Sequence, residues 1–250
     1  MSKLEFENVS KVFEKVDEND KTHALKNINL SIENNEFVSI VGPSGCGKST
    51  MLRLISGLIK PSQGSVYLDG EKIKGPSSKK GMVFQNPTLF PWLKVGENVG
   101  FSGSLKNEEK ISDKNIDLML EKIGLKEFKN SYPKELSGGM AQRVSLIRTM
   151  IAKPEVFLLD EPLGSLDAFT RMNMQDEILK LWQEEKNLMI MVTHDVEEAV
   201  YMSTKIIIII MEPRPGRVKE VVDIDLSYPR DRTSDEFVAY RNKILKILNY

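Results

Sequence analysis

Apolar residues along this chain fall into three patterns, and each predicts a different kind of element. Short unbroken runs at Phe37-Val-Ser-Ile-Val41, Met82-Val-Phe84, Glu155-Val-Phe-Leu-Leu-Asp160, Leu188-Met-Ile-Met-Val192 and Ile206-Ile-Ile-Ile-Ile-Met211 predict strands covered on both faces. Leu4-Glu-Phe-Glu-Asn8 and Ile28-Asn-Leu-Ser-Ile32 alternate apolar with polar, the pattern of half-exposed strands in an antiparallel sheet. Gly64-Ser-Val-Tyr-Leu-Asp-Gly70 predicts one more strand, ended by an Asp-Gly turn. The third pattern has helical spacing. It marks Met51–Ser56; Ile116, Met119, Leu120 and Ile123, closed by Gly124; Met140, Val144, Ile147 and Ile151; Met174, Ile178, Leu181 and Trp182; and Phe237, Tyr240, Ile244 and Ile247. Thr233-Ser-Asp-Glu236 is expected to form a capping box ahead of the last of these.

The stretches between the patterned segments complete the outline. The polar stretch from Glu14 to Thr22 is expected to be a loop. Between Lys106 and Lys134 charge rises and β-branched residues thin out, which predicts a helical subdomain inserted between two parts of the sheet. Pro87 to Leu93 breaks regular structure and carries Phe90, Pro91 and Trp92. Two readings fit it: a loop tucked onto the core, or an apolar docking surface for a partner.

Candidate chemistry gathers where predicted strands end. After Phe37–Val41 come Gly42, Pro43, Ser44, Gly45, Cys46, Gly47, Lys48, Ser49 and Thr50, which match the phosphate-loop pattern without a mismatch. Glycines let main-chain N–H groups approach an anion at the positive end of the helix that follows. Lys48 brings a mobile positive charge for the terminal phosphates, and Ser49 a hydroxyl for Mg²⁺. Gln85 follows Met82–Phe84, and taken alone reads as structural. Asp160 ends another strand, where an acid can hold Mg²⁺ through oxygen, and Glu161 beside it can take a proton from water. His194 ends a further strand in Thr193-His194-Asp195; His23 has no such setting and is assigned no role. Strands ending in Gln85, Asp160 and His194, beside a phosphate loop, imply one shared site along a sheet edge. Ser137-Gly138-Gly139 is either a plain helix cap or a second anion-binding helix end. Phe13 is either a core aromatic or a ring that stacks on adenine.

Composition narrows the classes. A chain of 250 residues suits one mid-sized domain with a full core. Net charge is −1, with no basic excess to attract nucleic acid. A single cysteine permits no intrachain disulfide and points to a reducing compartment. Met1-Ser-Lys-Leu-Glu5 lacks the apolar run of a signal peptide. The run Ile206–Met211 is far below the roughly 20 residues that span a bilayer.

Together these residues resemble the ATP-binding subunit of an ABC transporter, across essentially the whole chain. Gly42–Thr50 resembles the Walker A motif, Gln85 the Q-loop, Leu136–Met140 the signature, Val156–Glu161 the Walker B motif, Ser165–Asp167 the D-loop and His194 the H-loop. Gln85–Trp92, Ser137–Arg143, Arg214–Arg217 and Tyr228–Arg232 are similar to stretches of the nitrate, sulfonate, taurine and bicarbonate importer group, in which Met at position 140 is usual. The resemblance implies an α/β fold of P-loop NTPase type, with a mixed central sheet, an N-terminal antiparallel β subdomain and an inserted α-helical subdomain. Residues 1–85 and 153–225 would form the core, 86–152 the helical subdomain with the signature, and 226–250 a C-terminal helix. With so short a stretch after that helix, the regulatory barrel of sugar-importer ATPases would not be expected.

The resemblance also implies the chemistry. ATP would lie between the phosphate loop of one copy and Ser137, Gly138, Gly139 and Met140 of a second, in a head-to-tail homodimer. Phe13 would stack on adenine; Ser49, Gln85 and Asp160 would hold Mg²⁺; Glu161 would activate water; His194 would hold the γ-phosphate; Lys48 would neutralise charge; and Asp167 would mark the D-loop. Partners would be transmembrane permease subunits, contacted near Gln85–Trp92, and through them an extracytoplasmic solute-binding protein. No nucleic acid is expected, and the place of work would be the cytoplasmic face of the cell membrane. A competing class is a soluble ABC-type ATPase acting on nucleic acid or ribosomes. The coiled-coil insertion or fused second half usual there is not visible, and the charge is not basic.

Overall fold

The computed structural model describes residues 3–14, 21–105, 111–211 and 214–249, the side chains of 103–105 excepted. In chain order the elements are β1 (Leu4–Glu14), β2 (Lys21–Ile32), β3 (Phe37–Val41), α1 (Lys48–Ser56), β4 (Gln63–Leu68), β5 (Glu71–Lys72), β6 (Lys80–Val83), α2 (Val95–Leu105), α3 (Asp113–Lys122), α4 (Gly138–Met150), β7 (Val156–Asp160), α5 (Ala168–Glu185), β8 (Leu188–Val192), α6 (Val196–Met202), β9 (Lys205–Ile210), β10 (Arg217–Asp223) and α7 (Asp235–Ile247). Two sheets form. One has the antiparallel order β2-β1-β4-β5; the other has the order β10-β9-β3-β8-β7-β6, parallel except for β10.

Four of the apolar runs are the interior strands β9, β3, β8 and β7 of the larger sheet, and their alternate residues serve opposite layers; the fifth, at Met82, lies on the edge strand β6, expected to be covered on both faces but only partly buried. Val38, Ile40, Val156 and Leu158 face a core shared with α1 and the antiparallel sheet. Phe37, Phe157, Leu159 and Met191 face the layer that holds residues of α2, α3, α4 and α5. A third cluster joins Val41, Ile206 and Ile208 to Phe237 and Ile244 of α7. Water reaches neither face, so no polar position was needed to set the period.

β1 and β2 are longer than their alternating pattern predicts. Asn8 (φ 49°) and Asn27 (φ 50°) adopt left-handed backbone, and the pairing of β1 with β2 shifts register between Phe6 and Val9. Asn29 Oδ1 accepts the Asn8 N–H at 2.9 Å, and Ser10 Oγ accepts that of Asn27 at 3.0 Å. Such a bulge inserts residues and ends the strict period of two. Glu14, Lys21 and Thr22, expected in a loop, therefore pair across the ladder; residues 15–20 lie outside the described residues.

Two further differences concern helices. The expected Thr233 capping box is shifted: Ser234 is the cap of α7 and accepts the Phe237 N–H at 3.3 Å, while the Thr233 hydroxyl donates to Asp231 Oδ1 at 2.7 Å. α2 carries no helical signal in the sequence. Its glycines are there for packing, since a Cβ at Gly96 would lie 2.9 Å from Lys129 Cγ and one at Gly100 3.0 Å from Ile116 Cδ1.

The loop between β6 and α2 divides its aromatics. Buried Asn98 accepts the Phe90 N–H at 2.8 Å and donates to the carbonyls of Phe90, Leu93 and Lys94. Phe90 packs on Phe101 with centroids 4.4 Å apart, and Trp92 is left 69% exposed. The Tyr228–Arg232 stretch fastens the C-terminal segment: Tyr228 OH donates to Met202 O at 2.8 Å, and Arg230 Nη1 donates to Ser203 O at 2.7 Å, both at the end of α6. Among the described residues no helix is long and apolar enough to cross a membrane.

Candidate nucleotide site

Parallel pairing brings the carboxyl ends of β3, β6, β7 and β8 to one edge, with Ile40 and Asp160 both beside Val192 and Val83 beside Leu159. The phosphate loop, Gln85, the Asp160-Glu161 pair and His194 follow those ends, so the sheet itself assembles the site.

The phosphate loop is held by close backbone contacts. A Cβ on Gly42 would lie 2.2 Å from Ile209 O; one on Gly47, whose φ is 103°, would lie 2.6 Å from Leu25 Cδ2. No side chain caps the start of α1, so its first N–H groups face outward at the positive end of the helix. The Lys48 ammonium donates to Gly42 O at 2.8 Å and Pro43 O at 3.1 Å, which parks it at the mouth of the loop. Cys46 differs from its neighbours: its side chain is buried in the core under the loop, and burial pushes its thiol pKa up. It offers the site backbone only.

Ser49 Oγ donates to Asp160 Oδ1 at 2.9 Å. Burial raises the Asp160 pKa, against the Ser49 hydrogen bond and with help from Glu161 next door. A hydroxyl beside a carboxylate is a hard-oxygen donor pair that fits Mg²⁺, which takes one or two protein carboxylates and completes its shell with water and phosphate. Glu161 leaves the strand with φ 46°, and its N–H donates to Val192 O at 3.0 Å. Left-handed backbone at a non-glycine residue costs about 1–3 kcal/mol and concentrates at functional sites. Here it turns the carboxylate out of line, where Oε2 accepts from Gln85 Nε2 at 3.0 Å and lies 3.4 Å from His194 Nδ1. Gln85 and His194 thus converge on one oxygen of Glu161.

A cavity of about 250 Å³ opens over the loop. Ser44, Gly45 and Gly47 to Thr50 line one side, with Glu161; Thr22, His23, Ala24, Met211, Arg214 and Gly216 line the other. Gly42, Pro43 and His194 line an adjoining cavity of about 650 Å³. His23 and Arg214 belong to the wall, although His23 stands at no strand end. The signal lies in pairing: Gly216 N–H donates to Ala24 O at 3.1 Å and Lys26 N–H to Gly216 O at 3.0 Å, which lays β2 and the segment before β10 beside the loop.

Phe13 is 37% exposed on β1, so it is not a core side chain. It pairs with Thr22 on the cavity wall, and the Lys11 ammonium sits 4.9 Å from its ring centroid. Ser137 caps α4, accepting the Met140 N–H at 3.3 Å, and Met140 packs against the helical layer. None of Ser137, Gly138, Gly139 and Met140 lines the cavity over the phosphate loop. Asp167 caps α5 by accepting the Thr170 N–H at 3.0 Å, and hydrogen bonds from Thr170 hold its carboxyl below the usual range. Gln142, one turn into α4, was not foreseen: its Nε2 donates to Phe84 O at 3.0 Å, fixing the strand exit that carries Gln85.

A phosphate cradle followed on the same sheet edge by an oxygen donor pair and an aimed carboxylate can bind a nucleoside triphosphate and activate water. Residues 25–164 match the family model described as ABC transporter. The chain belongs to the ABC transporter family. It is 49% identical, over 98% of its length and 91% of the relative's, to an uncharacterised ABC transporter ATP-binding protein of Methanocaldococcus jannaschii. It is 46% identical, over 95% of its length and 92% of the relative's, to an aliphatic sulfonates import ATP-binding protein of Bacillus thuringiensis. A dimeric ATP-binding cassette in a post-hydrolysis state bound to ADP and Pi superimposes with a TM-score of 0.79 at 33% identity, over 90% of this chain and all of that one. This ABC ATPase has the mixed α/β fold of the P-loop cassettes, binds ATP with Mg²⁺, and hydrolyses it as the ATP-binding subunit of a transporter.

Proposed function

We propose that this ABC ATPase energises an importer for aliphatic sulfonates or a related small solute such as taurine, nitrate or bicarbonate. The observation that carries the proposal is the 46% identity, along nearly the whole chain, to a sulfonate-import ATP-binding protein. The active unit is a head-to-tail homodimer. Its partners are transmembrane permease subunits and, through them, an extracytoplasmic solute-binding protein, and it works at the cytoplasmic face of the membrane. Two features support the dimer: the relative solved with ADP and Pi is dimeric, and in a single copy Ser137–Met140 stay outside the cavity over the phosphate loop. The exposed Trp92 is the apolar surface for the permease.

The geometry supports these residue roles. The open N–H groups of α1 and the Lys48 ammonium hold the phosphates, and Phe13 stacks on the base beside Thr22. Ser49 and Asp160, with Gln85, would hold Mg²⁺, which when bound would supply charge neutralisation at the phosphates. Glu161 takes a proton from water at Oε2, the atom that Gln85 and His194 already fix. General-base help of this kind is worth about 10²–10⁴ in rate. Ser137, Gly138 and Gly139 of the second copy close over the γ-phosphate, with Asp167 at the same junction. Hydrolysis removes the group that both copies hold, and the dimer opens.

The test is uptake. A strain lacking this chain should regain uptake of labelled taurine or an alkanesulfonate with the native chain and not with Glu161→Gln, while the purified Glu161→Gln protein still binds ATP. Equal rescue by both would remove Glu161 from its role; no rescue by the native chain with any of these solutes would overturn the importer group.

A further inference from the structure

Phe169 has no part in the core or in the site described above. It is 83% exposed, more than any other large apolar side chain among the described residues, Trp92 included. Met172, one turn on and therefore on the same face of α5, is half exposed. Single apolar residues at a surface are ordinary, but an aromatic ring and a thioether together form a patch. The patch is carried on a rigid element. Asp167 caps α5, and Arg171 donates from Nη2 to Leu166 O at 2.8 Å and from Nε to Leu163 O at 3.3 Å, which ties the helix to the turn before it. A patch held in this way loses little freedom on docking.

The turn before α5 touches the start of α4: a Cβ on Gly139 would lie 3.2 Å from Leu166 Cδ2 and 3.8 Å from Ser165 O. In the head-to-tail dimer proposed above, Ser137–Gly139 of one copy close over the phosphate loop of the other, so the turn and Phe169 arrive with them. Among the described residues two cavities border that loop. The nucleotide takes the one of about 250 Å³, which carries Lys48 and Ser49. The other, of about 650 Å³, shares Ser44 with it and has an apolar lining of Val41, Pro43, Val196, Leu245 and Leu248. Leu245 lies outside all three core clusters, so α7 offers it to this hollow rather than to the interior. Arg241 of α7 and Glu197 of α6 form an ion pair at 2.8 Å on the same wall. An apolar centre with charge at its side is the make-up of a protein–protein contact rather than of a phosphate site. A cavity of roughly 150 Å³ already takes a benzene ring, so the hollow has room for Phe169 with Met172 beside it.

We infer that the Phe169–Met172 face of each copy docks in the hollow beside the phosphate loop of a second copy, against Leu245 and Leu248 of α7. This rests on the head-to-tail dimer read above. Two-fold symmetry makes the contact twice, each copy giving its patch and receiving the other's. Closure on ATP then buries apolar surface as well as phosphate, and α7 becomes part of the dimer contact.

The test is the concentration dependence of dimer formation in ATP, followed by sedimentation of the full-length Glu161→Gln protein so that hydrolysis does not reopen the dimer. On that background Phe169→Ala should weaken dimerisation about ten- to hundredfold, since both contacts lose an aromatic anchor. Phe169→Leu keeps an apolar group and should recover most of the loss. Leu245→Ala should weaken dimerisation about three- to tenfold. The double variant Phe169→Ala, Leu245→Ala should lose little beyond Phe169→Ala alone, because the two side chains share one contact. ATP affinity, titrated at concentrations too low for dimers, should match that of the parent protein in every variant, as neither residue lines the cavity over the phosphate loop. Native dimerisation in Phe169→Ala, or a fully additive loss in the double variant, would overturn the inference. Native dimerisation with loss of permease co-purification would overturn it too, and would give the patch to the permease. Failure of the dimer itself is separable: the Glu161→Gln protein with Phe169 intact would then stay a single copy in ATP, which overturns both readings.

Discussion

Two helix starts in this molecule can take an anion, and they are finished differently. The start of α1 has no side-chain cap; its N–H groups face a cavity, with Lys48 beside them and Asp160 and Glu161 across the sheet edge. The start of α4 is capped by its own Ser137, lies outside that cavity, and has no acidic pair beside it. A helix end with open donors and a cation is a phosphate site in its own right. One whose donors are partly satisfied adds strength only when a phosphate already fixed elsewhere is brought to it. Under the proposed roles, the difference gives affinity to α1 and closure to α4.

The largest effect that could break this division is at Lys48. Charge-assisted hydrogen bonds are worth about 1.5–3 kcal/mol, so Lys48→Ala should weaken ATP binding about ten- to hundredfold by calorimetry on the isolated chain. Native affinity would mean that the loop backbone alone holds the triphosphate. The middle effect is at Ser137. Ser137→Ala removes a cap worth about 0.5–2 kcal/mol of helix stability, yet it should leave ATP affinity of the single copy within about twofold. ATPase turnover and ATP-dependent dimer formation should both fall, turnover about tenfold, a size in keeping with loss of one transition-state donor or less. A matching loss of affinity in the single copy would mean that α4 acts within its own chain.

How much of this was legible depended on how far each signal reaches along the chain. The strand-end residues were legible because Phe37–Val41, Val156–Asp160 and Leu188–Val192 are buried on both faces, so an unbroken apolar run ends where chemistry begins. The convergence of Gln85 and His194 on a single Glu161 oxygen was not, because it depends on a left-handed residue at position 161 that no pattern encodes. α2 was hidden by glycines chosen for contact with Lys129 and Ile116 rather than for helix formation. The extra length of β1 and β2 was hidden by a bulge at asparagines 8 and 27. For α7, Thr233 and Ser234 are both good caps, and only the hydrogen bond from Thr233 to Asp231 assigns the role to Ser234.

The smallest effect sharpens the α1 side of the comparison. Arg214 stands on the cavity wall opposite the phosphate loop, and has no hydrogen bond or ion pair to another described residue. Its segment is tied to β2 through Gly216, so the position is fixed while the side chain is free to meet a ligand. An exposed charge in high dielectric contributes roughly 0.2–1 kcal/mol, against the larger contribution of Lys48 inside the loop. Arg214→Ala should therefore raise the Kd for ATP about two- to fivefold, and the effect should shrink as salt rises from 50 to 300 mM, because exposed charges are screened over about 10 Å at 0.1 M. If the group meets phosphate, GTP should lose as much affinity as ATP. A loss confined to ATP would instead place the guanidinium against the base. No loss with either nucleotide would leave Lys48 and the open N–H groups of α1 as the whole of the phosphate site.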